Sequence, residues 1–133
     1  MFADKLTQAQ RQVVFDLAVN LAAADNDVSD EEVQYLKDFS SAYGIDYDLD
    51  KSSLNIDDAI TLLDSKSSRI ITLQELIKLS YKDGHFGDEE QDRVFLIAQK
   101  MGLNDPELML RIEKWVRQGF DWIYEGEMMI EGS

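Results

Sequence analysis

The chain of 133 residues contains no cysteine, one histidine and one proline. The missing cysteine excludes disulfides, thiolate zinc sites and cysteine nucleophiles, and a single histidine cannot build an ordinary histidine-based zinc site. Basic residues are scarce: 13 Lys and Arg stand against 27 Asp and Glu, a formal net charge of −14. That field repels nucleic acid and anionic lipid and attracts cations and basic protein surfaces. No apolar run approaches the roughly 20 residues that span a bilayer. The start, Met1-Phe2-Ala3-Asp4-Lys5, lacks the basic region and apolar run of a signal peptide. These absences lead us to expect a soluble, cytoplasmic protein with no nucleic-acid partner and no membrane insertion. Against them stands a hydrophobic fraction of 44%, enough for a packed core, at a length that suits a single domain over 1–133.

The most informative stretch occurs twice. Asp25-Asn26-Asp27-Val28-Ser29-Asp30-Glu31-Glu32 falls on Asp83-Gly84-His85-Phe86-Gly87-Asp88-Glu89-Glu90 when the numbering is shifted by 58. Leu21 then meets Leu79, Leu36 meets Val94, Phe39 meets Ile97, and Gly44-Ile45 meets Gly102-Leu103. Each copy is a helical apolar pattern, an acidic turn, and a second helical pattern that stops at Gly. The copies cover about 7–45 and 68–103.

Taken in order, Thr7 to Ala24 reads as a helix with Thr7 and Gln10 as a capping box and an inner stripe of Val14, Leu17, Ala18 and Leu21. Ser29 and Glu32 form the box of a second helix, Asp30 to Tyr43, with Val33, Leu36, Phe39 and Tyr43 inward and Gly44 as its left-handed stop. Ile45 to Leu54 is a loop. Asn55 caps a short helix from Ile56 to about Ser65, and Ser67 or Ser68 starts a fourth through Lys82, whose wide apolar stripe suits a central position. Asp88 is expected to cap a fifth helix, with Val94, Ile97, Ala98 and Met101 inward and Gly102 at its end. Asp105-Pro106 opens the last helix, 105–124, which is apolar around much of its circumference. No segment alternates with period two. The expected fold is all-α, about six helices around one core, with an internal pseudo-repeat of helix–acidic turn–helix.

Two chemistries suit the acidic turns. Asp25, Asp27, Ser29 and Glu31 occupy positions 1, 3, 5 and 7 of a helix–loop–helix calcium loop, but Asp30 and Leu36 replace its Gly at position 6 and Glu at position 12. A looser all-oxygen site for Ca²⁺ or Mg²⁺ remains if Asp25, Asp27, Asp83 and glutamates from the two helix starts converge. The plainer reading is that these acids cap free amides and oppose the helix dipole, each contributing about 0.3–1 kcal/mol. His85 lacks the nucleophile and oxyanion donors that would make it a catalytic base, so no enzyme is indicated. Trp115, Phe120, Trp122 and Tyr124 lie at helical spacing. Core packing is the commoner role for such residues, and a protein–protein surface, joining a basic protein partner or a second copy, is the alternative.

The doubled motif, with Val94, Ile97, Ala98 and Met101-Gly102-Leu103 after the second copy, resembles the TerB-like domain family of bacterial tellurite-resistance and co-chaperone proteins. The resemblance runs from Leu17 to Leu103, with Asp105 to Tyr124 as the closing helix. The second copy is the closer match because the family pattern favours Asp-Gly before the apolar residue, where the first copy has Asn26. It implies an all-α fold with internal pseudo-symmetry and a non-enzymatic stress-response role in which grouped acids bind a cation or a partner. By position, Asp25, Glu32, Asp83 and Glu90 are the acids that it carries over. No residue here is suited to reducing an oxyanion, and the acidic surface would repel one.

Overall fold

The computed structural model describes residues 2–23, 28–50, 54–82 and 85–132, with the backbone alone at 82, 85 and 86. Six α-helices pack around one core: α1 (Gln8–Ala22), α2 (Asp30–Tyr43), α3 (Ile56–Ile60), α4 (Lys66–Ser80), α5 (Asp88–Lys100) and α6 (Pro106–Ile130). A single 3-10 turn, Ala3–Lys5, precedes them. A two-residue antiparallel ladder joins β1 (Tyr81–Lys82) to β2 (His85–Phe86), with Tyr81 opposite Phe86 and Lys82 opposite His85. No helix among the described residues is long and apolar enough to cross a membrane.

Adding 58 to the bounds of α1 gives Lys66 and Ser80, the bounds of α4, and adding it to Asp30 gives Asp88, the start of α5. The burial repeats as well. Phe15 and Leu73, Leu21 and Leu79, Leu36 and Val94, Phe39 and Ile97, and Ile45 and Leu103 are buried pair by pair. Both second helices end at a glycine with positive φ, 63° at Gly44 and 76° at Gly102, which a side chain would strain. Past each glycine the chain folds back, with Ile45 N–H donating to Ser40 O and Leu103 N–H to Ala98 O at 2.9 and 2.8 Å. At one pair the burial is kept but the chemistry is reversed: Leu17 is fully buried, and its counterpart Glu75 is a buried carboxylate at 4% exposure.

The caps explain most of the helix starts. Thr7 with Gln10 and Ser29 with Glu32 each form both bonds of a capping box. Asn55 accepts from Asp58 N–H at 3.1 Å, and Asp105 accepts from Glu107 and Leu108 N–H at 3.1 and 3.2 Å. α1 and α4 form the inner layer, packed closely on each other, with α2 and α3 against α1 and α5 and α6 against α4. That position buries α1 on more than the expected stripe, since Val13, Phe15, Val19 and Ala22 are also enclosed. Val33 and Tyr43, expected inside, are only half-buried.

Several boundaries differ from expectation. α3 stops at Ile60 rather than Ser65, because the chain tightens into i→i−3 bonds at Thr61, Leu62 and Leu63 and turns Leu63 into the core. α4 begins at Lys66, capped by Ser65 with Ser68 completing a box made of two serines. It ends at Ser80 because the backbone of Tyr81 and Lys82 leaves the helix to pair with β2. α5 takes Gly87 as its N-cap residue, with no side-chain cap, and Asp88 is its first helical residue. α6 continues past Tyr124 to Ile130. Glu125, Glu127, Met128 and Met129 are good helix formers and outweigh the cost of about 1 kcal/mol at Gly126.

Candidate functional site

Asp25, Asp27 and Asp83 lie outside the described residues. Glu32 is 3% exposed and works locally: its Oε1 accepts from Ser29 N–H at 3.0 Å while Ser29 Oγ accepts from Glu32 N–H at 3.1 Å. Glu90, at the same position of α5, folds its carboxylate back into the space that a side chain at Gly87 would need. Both glutamates are therefore turned onto their own helix starts. Among the described residues, no three His, Cys, Asp or Glu side chains group closely enough to hold a metal ion.

The segments flanking the two acidic turns nevertheless meet. Glu31 in the first turn of α2 and Leu79 and Tyr81 at the end of α4 line one groove of about 790 Å³, closed on its third side by α6. The α2 wall carries Glu31, Gln34, Tyr35 and Asp38, a single stripe at i, i+3, i+4 and i+7. The α6 wall carries Phe120, Asp121 and Tyr124. Tyr81, 4% exposed, stacks on Phe120 with ring centroids 5.6 Å apart and pins this part of α6 to the groove.

Tyr35 links the groove to the core. Its hydroxyl donates to Glu75 Oε2, and its ring stacks on Phe39 at 6.2 Å. Burial of the Tyr35 hydroxyl, followed by the negative charge of Glu75 and the bond to it, pushes its pKa well above the usual tyrosine value. Lys78 is the one cation lining the groove among the described residues, and its Nζ lies 5.8 Å from the centre of the Tyr35 ring. Three carboxylates, Glu31, Asp38 and Asp121, share the lining with it.

The aromatic residues of α6 divide along the helix. Trp115 stacks on Phe2 with centroids 5.9 Å apart and is 37% exposed. Trp122 and Tyr124 are 77% and 61% exposed, so of the two roles weighed for them, core packing, the commoner, does not apply. Their turns lie beyond Val116, the last residue of α6 that the fold buries. Sequence reasoning also missed Tyr35, Glu75, Asp38 and Asp121. The α2 spacing was visible for Tyr35 and Asp38, and the 58-residue shift sets Glu75 against a core leucine, which marks it as a polar group in an apolar position.

Comparison with family models, curated proteins and solved structures gives no match for this chain.

Proposed function

We propose that this chain is a non-enzymatic binding module of the TerB-like stress-response type, acting in the cytoplasm through the groove and the outer half of α6. The kinship rests on the doubled acidic motif and the apolar residues that follow its second copy. The observation that carries the binding role is that α6 buries Met109, Ile112 and Val116 and then holds Trp122, Ile123, Met129 and Ile130 more than half exposed. Each such side chain forgoes about 1.5–3 kcal/mol of burial. These four stand at i, i+1, i+7 and i+8, on one side of the helix, and grouped apolar surface marks interaction sites, which Trp, Tyr and Arg most often dominate. A variant with Trp122→Ala and Ile123→Ala is expected to unfold within about 2 °C of the wild type, since surface changes that lose no burial fall within roughly 0.5 kcal/mol. A fall as large as that of a core substitution would assign these residues to the fold and end the reading.

A second reading, a divalent cation such as Ca²⁺ or Mg²⁺ between the acidic turns, is supported by the shared groove at the start of α2 and the end of α4. An ion present at about 100 times its dissociation constant adds roughly 2.7 kcal/mol, or about 3–8 °C in the midpoint of a domain this size. That rise is expected to saturate for one ion and to vanish in Asp25→Asn/Asp83→Asn. Equal small rises in both proteins would mean that the ion only screens the net charge.

A further inference from the structure

We propose that the groove between α2, α4 and α6 is the seat of a cationic amphipathic helix contributed by a partner protein. This rests on the binding role given above and names the chemistry of the occupant. The charge of the walls is the first argument. Among the described residues, the carboxylates Glu31 and Asp38 on α2 and Asp121 on α6 share the lining with one cation, Lys78, which is drawn over the Tyr35 ring. The spacing is the second. Glu31 and Asp38 are seven residues apart on one helix, about 10.5 Å along its axis, the separation of two basic residues seven apart on an incoming helix. Asp121 faces them across the groove and suits a cation on the opposite edge of the same occupant.

The third argument is the apolar lining. Leu79, Tyr81, Phe120 and Tyr124 give the occupant apolar and aromatic surface between its two charged edges, the pattern of a helix laid in a groove. Charge also decides against the other occupants. A second copy would bring another −14, and its own α6 carries Asp121, Glu125 and Glu127 beyond Arg117 with no Lys or Arg. An anionic membrane surface is repelled for the same reason.

The test is fluorescence anisotropy with a labelled helical peptide of Lys and Leu, roughly 18 residues or five turns long. The salt is about 0.15 M, so that charges more than roughly 8 Å away are screened. Companion peptides carry Gln or Glu in place of Lys. The groove variant Glu31→Gln/Asp38→Asn/Asp121→Asn is compared with a remote variant, Asp46→Asn/Asp92→Asn/Glu107→Gln, which removes the same number of charges from exposed residues that do not line the groove. Saturable binding of the Lys peptide is expected, weakened about tenfold or more in the groove variant and less than about twofold in the remote one. Tyr124→Ala, which leaves the net charge unchanged, is expected to weaken it to a similar degree.

Failure to bind the Lys peptide, or equal losses in the two charge variants, would overturn the proposal. Equally tight binding of the Gln peptide, sensitive to Tyr124→Ala, would overturn the cationic occupant while leaving the groove a docking surface. Self-association that disappears in the groove variant would replace the partner helix with a second copy. Binding untouched by the groove variant and by Tyr124→Ala would remove the groove from the account altogether. Thermal unfolding of each variant separates loss of binding from loss of fold.

Discussion

Leu73→Ala is expected to lower the stability of the domain by about 2–5 kcal/mol, through the lost transfer free energy and the cavity left behind. The corresponding fall in thermal midpoint is roughly 6–20 °C for a chain of this length. Leu73 is fully buried near the middle of α4, the helix against which α1, α5 and α6 all pack, so few neighbours are free to collapse into the space. Its counterpart in the first copy, Phe15, is equally buried. Circular dichroism during heating measures the effect. A fall smaller than that of Leu110→Ala, whose side chain is 64% exposed on α6, would contradict α4 as the central helix.

Tyr35→Phe is expected to cost about 1–3 kcal/mol, because the buried Glu75 carboxylate loses the hydroxyl that donates to it. Glu75→Gln keeps an acceptor for Tyr35 and should cost less. The double change Tyr35→Phe/Glu75→Leu copies Leu17 of the first copy and should recover most of the loss, since apolar replacement of a buried polar pair is often neutral or better. The same pair sets an alkaline limit. The Tyr35 pKa is raised in the folded state by burial and by Glu75, so folding favours the protonated phenol. The stability this contributes is complete below the unfolded tyrosine value of about 10 and is lost as pH rises through the higher folded value. Wild-type stability should therefore fall above about pH 10, and the fall should be shallower in Tyr35→Phe. Denaturant midpoints across that range check it, and identical slopes in the two proteins would remove Tyr35 as the cause.

Much of the fold could be read from the sequence because its signals are local and repeated. Thr7-Gln10, Ser29-Glu32, Asn55 and Asp105-Pro106 each satisfy amides within one turn, so those starts were legible without tertiary contacts. The start of α4 was less so, because a serine rather than Glu or Gln completes its box. The two-residue ladder at Tyr81 and Phe86 had a short signal, Asp83-Gly84 between the paired residues, but the helical spacing that ends at Tyr81 obscured it. The length of α6 was not legible because its end depends on side-chain propensity alone. The groove is tertiary: Tyr35, Tyr81 and Phe120 come from three separate segments, and only packing brings them together.

Whether the outer half of α6 serves a partner is tested most directly by site-specific photo-crosslinking in the cells that make the protein. A photoreactive residue is placed at Trp122 and, in a separate chain, at the exposed Asp92 of α5. The account predicts a discrete protein adduct from position 122, absent from position 92, that disappears when Tyr124 is also changed to Ala. No adduct from position 122, or the same adducts from both positions, would contradict α6 as the working surface of the molecule.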